Sequence, residues 1–281
     1  MEQPQAFQYE QLRGMNTRLE MILCGDTEYL LQACISRIQA ALWHWEQVLS
    51  RFDPEAETYK MNSGAFRMPF SLSEDLWEAL SFAVDFREKT SGFFDVFHLV
   101  NQHAERAVDS LVAMEETAHT IQFLTEEVRV DFGGMGKGLF LKQLPEILDQ
   151  FQIENAFISF GESSIYARGH RPDGVAWTLQ LSPECGFDQQ LRLTNQFLSV
   201  SGMHGQSAHI RDKLGNLPCN HGVAVVGDCP LALEAISTTL YLEPGMEGEL
   251  KKHFALEGLY RAKHKMKGSQ TGADFPVVHL T

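Results

Sequence analysis

A glycine-rich stretch near the middle of the chain limits its fold more than any other feature of the sequence. Residues 131–138 read Asp-Phe-Gly-Gly-Met-Gly-Lys-Gly. They follow an alternating segment, residues 126–132, that is typical of a strand, and they precede apolar residues at helical spacing. Glycine lets the backbone approach a ligand closely, and free N–H groups at a helix start attract anions. The stretch therefore predicts a strand–turn–helix unit that can hold an anionic group, with Lys137 adding a positive charge.

This stretch does not match the two common glycine-rich nucleotide-binding patterns. Lys137 is followed by Gly138 rather than by Ser or Thr, as a Walker A motif requires. The glycine spacing also differs from G-x-G-x-x-G. A glycine-rich turn that serves packing alone is the alternative interpretation.

The composition is that of an ordinary globular protein. The chain has 281 residues, of which 44% are hydrophobic and 21% charged, so it forms one large domain or two small ones. Its net charge of −14 repels polyphosphates and anionic surfaces, which argues against generic nucleic-acid or membrane binding. An anionic ligand must therefore be met by a local cation, a metal or backbone N–H groups.

The sequence also bears on the cellular compartment. It contains no apolar run of about 18 residues, which a transmembrane helix needs. Its polar start includes Glu2 and Glu10 and lacks the basic and apolar regions of a secretory signal. The five cysteines are scattered and form no C-x-x-C pair. We expect a cytoplasmic protein with reduced thiols, or a periplasmic one if an export signal has been removed.

Hydrophobic spacing predicts an α+β fold. Asp26 or Thr27 caps a long first helix, and Ser71 or Ser73 caps a second helix that ends at residue 89. Pro145 lies inside the helix after the glycines, which predicts a kink or a late start. Residues 101–124 give no clear pattern. The other predicted elements are strands at 19–24, 156–160, 165–167, 176–181, 191–193, 197–200 and 222–226, and a helix at 230–242.

An ordered set of motifs resembles the ApbE family, the FAD:protein FMN transferases. Residues 131–138 are similar to the family signature V-D-hydrophobic-G-G-hydrophobic-G-K-G. The resemblance extends over about residues 15 to 242. The other matching elements, in chain order, are Met15-Asn16-Thr17, Leu49-Ser50-Arg51-Phe52, Lys60-Met61-Asn62, residues 90–96, Ser201-Gly202, residues 208–212 and residues 234–240.

The resemblance implies a fold and an activity. The implied fold is α+β, with mixed helices and largely antiparallel sheets in two intertwined subdomains. A single domain would span residues 15–268, with flexible termini at residues 1–14 and 269–281. The implied enzyme uses Mg²⁺, transfers FMN from FAD to a Ser or Thr hydroxyl of an acceptor protein, and releases AMP.

The resemblance also implies a metal site. Glu234 and Thr238 stand four residues apart on a predicted helix and share one face. They occupy the family's metal-ligand positions, and the backbone carbonyl of Gly134 is a further ligand. The family has Asp where this chain has Glu234. The Glu side chain is one methylene longer, and this difference matters because Mg²⁺ requires near-ideal coordination geometry. A solvated Glu234 and a core Thr238 are the alternative interpretation.

Further site residues follow from the same resemblance. His209 matches the histidine that deprotonates the acceptor hydroxyl, a task suited to an imidazole. Met61 and Phe93 are candidates to pack on the rings of FAD, with core packing as the alternative. Asp131 is a candidate to bind FAD, with structural hydrogen bonding as the alternative. The implied FAD-binding residues are Met61, Phe93, Asp131, Gly133, Gly134, Lys137, Glu162, Ser163, Ser201 and Gly202.

Departures from the family pattern leave other functions open, chiefly those at Val200, which replaces a threonine, at Glu234, and in the loop at residues 213–215, which is one residue shorter. Glu162 also replaces a glycine, beside one inserted residue. The alternatives are a divergent FAD-binding protein, an FAD pyrophosphatase without transferase activity, or a structural protein that shares the fold alone.

Overall fold

The computed structural model describes residues 6–99, 108–182, 186–202 and 222–263, and the backbone of residues 278–280. Its helices are α1 (Glu28–Leu49), α2 (Glu57–Gly64), α3 (Glu74–Lys89), α4 (Gly136–Gln150), α5 (Pro230–Leu242) and α6 (Glu247–His253). Its strands are β1 (Ala6–Gly14), β2 (Thr17–Gly25), β3 (Phe70–Ser71), β4 (Phe97–Leu99), β5 (Val112–Glu115), β6 (Thr120–Phe123), β7 (Val128–Val130), β8 (Asn155–Phe160), β9 (Ser164–Arg168), β10 (Trp177–Leu181), β11 (Gln190–Leu193), β12 (Gln196–Ser201), β13 (Val223–Gly227), β14 (Gly258–Arg261) and β15 (Val278–Leu280).

A seven-stranded antiparallel sheet organises the molecule. Its strand order is β1-β2-β8-β9-β12-β13-β14. Smaller sheets contain β11-β10-β15, β3-β6-β5 and β4-β7. The mixture of helices and antiparallel strands confirms the α+β prediction.

The large sheet separates two hydrophobic cores because side chains alternate along each strand. Ile158 and Phe160 of β8 belong to one core, which also contains the buried faces of α1, α4 and α5. Phe157 belongs to the second core, together with Trp177 and Leu179 of β10. One face of the sheet is thus covered by helices and the other by the small β10 sheet. Burial on both faces explains why the central strands read as nearly continuous apolar runs.

Side-chain caps define the starts of α1 and α3, and Pro145 does not interrupt α4. The Thr27 hydroxyl accepts a hydrogen bond from the Leu30 amide, so Thr27 is the cap of α1. Ser73, rather than Ser71, caps α3 through the Leu76 amide. The helix α4 begins at Gly136 and continues through Pro145, so of the two predicted alternatives, a kink or a late start, the late start is excluded.

Other local predictions also need correction. Residues 1–14 and 269–281 were expected to be flexible termini, but Ala6–Gly14 pairs residue by residue with β2, and Val278–Leu280 pairs with β10. The strand predicted at residues 126–132 is limited to Val128–Val130. The sequence did not indicate α2, α6, β3, β4, β14 or the β5–β6 hairpin, whose strands have four residues each. The division into a domain at residues 15–268 stays a prediction.

No helix in the described ranges is both long and apolar enough to span a bilayer.

Candidate active site

The glycine-rich stretch forms a tight bend at the start of α4. The amides of Met135 and Gly136 both donate to the Phe132 carbonyl, at 2.9 and 2.8 Å. The Asp131 carboxylate accepts from the Gly133 amide at 2.9 Å and lies 3.0 Å from the Arg51 guanidinium. Asp131 therefore stabilises the bend, which is the structural role given as the alternative to FAD binding. Gly133 and Gly134 remain exposed, so a ligand can reach their backbone.

Lys137 extends from the first turn of α4 to the turn between β8 and β9. Its ammonium group donates to the Ser163 hydroxyl. Glu162, next to Ser163, has a positive φ of 59° and pairs with Arg18. The Val200 amide donates to the Ser163 carbonyl at 2.7 Å, which holds the turn against β12. The structure thus brings the predicted residues Lys137, Glu162 and Ser163 together.

Glu234 lies on the first turns of α5 and is 7% exposed, so it is not a solvated helix residue. The hydroxyl of Ser164, which is also buried, donates to its carboxylate. A Cβ atom on Gly138 would lie 3.0 Å from the Glu234 Cγ, so α4 and α5 touch at this point. A buried carboxylate needs such a partner because an unpaired one is costly. Sequence reasoning missed Ser164, although it directly follows Ser163.

A cluster of hydroxyl groups lies one turn further along α5. The Ser201 hydroxyl is 2.8 Å from that of Ser237 and 3.4 Å from that of Thr238. Ser199 also bonds to Ser237, at 3.0 Å. Thr238 is half-buried rather than a core residue. Two residues that were predicted for different roles, Ser201 for FAD and Thr238 for the metal, are therefore in contact, whereas Ser199 and Ser237 were not foreseen.

Val200 faces away from this cluster. Its side chain is 5% exposed and belongs to the second core, whereas Ser199 and Ser201 point towards α5. Alternation along β12 causes this separation. The absence of a hydroxyl at Val200 therefore removes no polar contact from the face that carries the predicted site.

The donor set fits Mg²⁺, a hard cation that takes oxygen ligands and few carboxylates. Glu234 offers a buried carboxylate, and Thr238 offers a hydroxyl on the same face of α5. In the part of the chain that the structure describes, no group of three or more His, Cys, Asp or Glu could hold a metal. A cation here would thus rely on one carboxylate, hydroxyls and the phosphates of a substrate, and the Gly134 carbonyl stays a predicted ligand.

The remaining predicted residues differ in how deeply they are buried. Met61 has no exposed surface and packs in the first core, which matches its alternative interpretation. Phe93 and Gly202 are half-buried. The neighbouring Phe94 ring would lie 3.3 Å from a Cβ atom on Gly134, so it supports the bend from beneath. His209 and residues 213–215 lie outside the described residues.

Comparisons with known proteins identify relatives over most of the chain. A curated relative from Chlamydia muridarum (strain MoPn / Nigg), named FAD:protein FMN transferase, is 24% identical over 76% of this chain and 78% of its own length. The flavin transferase ApbE from Vibrio cholerae has a similar structure, with a TM-score of 0.74 and 17% identity over 92% of this chain and 98% of that one.

Two further solved structures share the fold. The ApbE protein from Thermotoga maritima aligns with a TM-score of 0.72 and 17% identity, over 92% of this chain and 97% of that one. The flavinyl transferase ApbE from Pseudomonas stutzeri aligns with a TM-score of 0.70 and 13% identity, over 85% and 84%. The model of the ApbE family matches residues 15–251. This chain therefore belongs to the ApbE family.

Proposed function

We propose that this protein is an FAD:protein FMN transferase that requires Mg²⁺, joins FMN to a Ser or Thr hydroxyl of an acceptor protein, and releases AMP. The observation that carries the proposal is the chain of contacts between distant parts of the sequence. Lys137 bonds Ser163, the adjacent Ser164 bonds Glu234, and Thr238 of the same helix contacts Ser201. Family membership supplies the activity to which these groups are suited.

The reaction exchanges one phosphorus–oxygen bond for another. The acceptor hydroxyl oxygen bonds to the phosphorus of the FMN half, and the bond from that phosphorus to the AMP oxygen breaks. The hydroxyl proton goes to His209, which we assign as the base from its position in the family pattern. The leaving AMP carries away the negative charge, which must be stabilised as it develops.

Residues at the bend would bind and orient the two phosphates. The Gly136 amide is occupied by the Phe132 carbonyl, so the N–H groups of Lys137 and Gly138 and the Lys137 ammonium group are the ones that favour negative charge at this point. Ser201 and Gly202, where β12 ends, offer a hydroxyl and a backbone amide. Bound by Glu234, Thr238 and the Gly134 carbonyl, Mg²⁺ would neutralise charge on the phosphates.

Ser164 offers a reason why Glu can stand where the family has Asp. The longer side chain has one more rotatable bond, and therefore more freedom to lose. A hydroxyl that donates to one carboxylate oxygen restricts the orientation of that group, as outer partners do for metal ligands. The other oxygen then remains available for a cation.

The test compares Glu234→Gln with the wild type. FAD, Mg²⁺ and a peptide with the family's threonine motif are mixed with each protein, and AMP, FMN and flavinylated peptide are quantified by mass spectrometry. We expect Glu234→Gln to lose about 100-fold in AMP formation, the effect of several kcal/mol of metal stabilisation. FAD binding, measured by flavin fluorescence, should change much less. Glu249→Gln, an exposed substitution on α6, is the matched control.

The products separate the transferase from its alternatives. Flavinylated peptide together with AMP supports transfer, whereas free FMN and AMP in the presence of peptide indicate a pyrophosphatase. Bound, intact FAD after long incubation with Mg²⁺ would indicate a binding protein. A rate in Glu234→Gln equal to that of the wild type would contradict the metal-ligand assignment.

A further inference from the structure

A second feature, a cavity of about 630 Å³, lies beside the glycine bend. Arg51 lines it and also pairs with Asp131 at 3.0 Å, so the cavity adjoins the bend directly. Asn62, another lining residue, bonds through its amide to both the N–H and the carbonyl of Val130, at 2.8 and 2.9 Å. These bonds tie α2 to the strand that leads into the bend. The cavity wall is therefore held in place by the same elements as the candidate active site.

The cavity is basic although the protein is strongly acidic. Arg51, Arg67 and Arg129 line it, and Glu126 is the one carboxylate among the lining residues that the structure describes. In the same described ranges, Arg67 and Arg129 form no ion pair. Arg129 instead donates to the carbonyls of Glu126 and Val128, at 2.7 and 2.6 Å. With a net charge of −14 over the whole chain, this is a local site for negative charge.

The lining histidine adds no charge. Neighbouring atoms crowd the His98 imidazole although the residue reaches the surface, and this desolvation lowers its pKa from 6.5. Asp131 acts in the opposite direction, and Arg51 and Arg129 lower the pKa further. The lowered pKa favours the neutral form of His98, and the positive charge of the cavity comes from the arginines.

Aromatic side chains at the cavity suit a polypeptide. Tyr59 and Phe66 line it and are 36% and 43% exposed. Exposed aromatic residues beside arginines are the composition of binding hot spots for proteins. None of the cavity residues belongs to the contact chain from Lys137 to Thr238, which we assign to the phosphates.

We propose that this cavity binds an acidic segment of the acceptor protein, close to the Ser or Thr that receives FMN. The inference rests on the proposed function and names the kind of partner that the site accepts. The acidic surface elsewhere disfavours such a segment, so the cavity would set both the position and the choice of acceptor.

The test measures peptide binding, which does not require turnover. Fluorescein-labelled twelve-residue peptides carry one threonine among glycine and alanine, with two Asp, two Asn or two Lys beside it. Their affinities for the FAD-loaded protein are measured by fluorescence anisotropy at low salt. We expect the Asp peptide to bind about 10-fold more tightly than the Asn peptide, as two charge-assisted contacts allow. The Lys peptide should bind most weakly.

Charge reversal in the cavity should abolish this preference. The double variant Arg67→Glu/Arg129→Glu should bind the Asp and Asn peptides equally. Arg67→Glu alone, on an exposed side chain, should lower the preference about 3-fold without affecting the fold. The control Arg37→Glu/Arg192→Glu changes two exposed arginines outside the cavity by the same charge and should keep the full preference.

Several outcomes would overturn the inference. Equal affinity of the wild type for the Asp and Asn peptides would do so, as would an unchanged preference in Arg67→Glu. A parallel loss of FAD binding in the cavity variants would show that FAD, not the acceptor, occupies the cavity. Failure of the proposed function is read separately, as the absence of both flavinylated peptide and AMP when the wild type is mixed with FAD, Mg²⁺ and the peptide that carries the family's threonine motif.

Discussion

Removing the Ser164 hydroxyl is the most direct probe of how the protein holds Glu234. Ser164 is 1% exposed and Glu234 7% exposed, and the hydroxyl donates to the carboxylate across 70 residues of sequence. Ser164→Ala leaves a buried acceptor without this donor, and water has little access to replace it. Hydrogen bonds to charged groups contribute about 1.5–3 kcal/mol. We expect the free energy of unfolding to fall by that amount.

Ser199→Ala provides the matched control. Ser199 is equally buried, at 2% exposed, but its hydroxyl bonds to the neutral Ser237 at 3.0 Å. A bond between neutral groups contributes about 0.5–1.5 kcal/mol, so this variant should lose less stability than Ser164→Ala. Both variants remove one oxygen atom and leave similar small cavities, which makes the charge of the acceptor the main difference.

Urea denaturation followed by circular dichroism measures both losses, in buffer with a chelator so that bound metal does not contribute. For a chain of this size, about 1.5–3 kcal/mol corresponds to a fall in Tm of roughly 3–5 °C in a thermal melt. If Ser164→Ala loses no more stability than Ser199→Ala, then Ser164 does not stabilise a charged Glu234, and the reason given for the Glu substitution is wrong.

Two further predictions concern α4. Lys137→Met should weaken FAD binding about 10-fold, because it removes the cation next to Ser163. Lys142→Met, on the same helix, should leave FAD binding unchanged. Equal FAD affinities of the two variants in fluorescence titrations would contradict the assignment of Lys137 to the phosphates. Gly138→Ala should lower the free energy of unfolding by about 1–3 kcal/mol and slow AMP formation, because its Cβ would lie 3.0–3.2 Å from atoms of α5. The control Gly248→Ala meets no atom within 4 Å and should stabilise α6 by about 0.5–1 kcal/mol. Thermal melts compare the two variants, and a fully stable, active Gly138→Ala would show that the α4–α5 contact is not tight.

Local signals in the sequence located most of the regular structure. The Thr27 cap and the glycine bend act within one or two turns of the chain, so residue type and spacing suffice to place them. The sequence reading failed where local signals are weak. The strands β5 and β6 have four residues each, and the helix α2 has two buried residues, so neither shows a clear hydrophobic period.

The candidate site was also predicted only in part from the sequence. Lys137, Ser201, Glu234 and Thr238 were predicted from motifs, and the structure places each within a connected set of contacts. The Ser164 contact could not be predicted, because a serine that follows another serine has no local feature that marks its partner.

The sequence by itself determined the strand, bend and helix around residues 131–138, because backbone preferences and side-chain periodicity are short-range effects. Tertiary structure decided which groups meet. It paired Ser164 with Glu234, turned Val200 towards the second core, and placed three arginines around one cavity. These relations depend on strand pairing and helix packing between segments far apart in the chain, and no single segment carries that information.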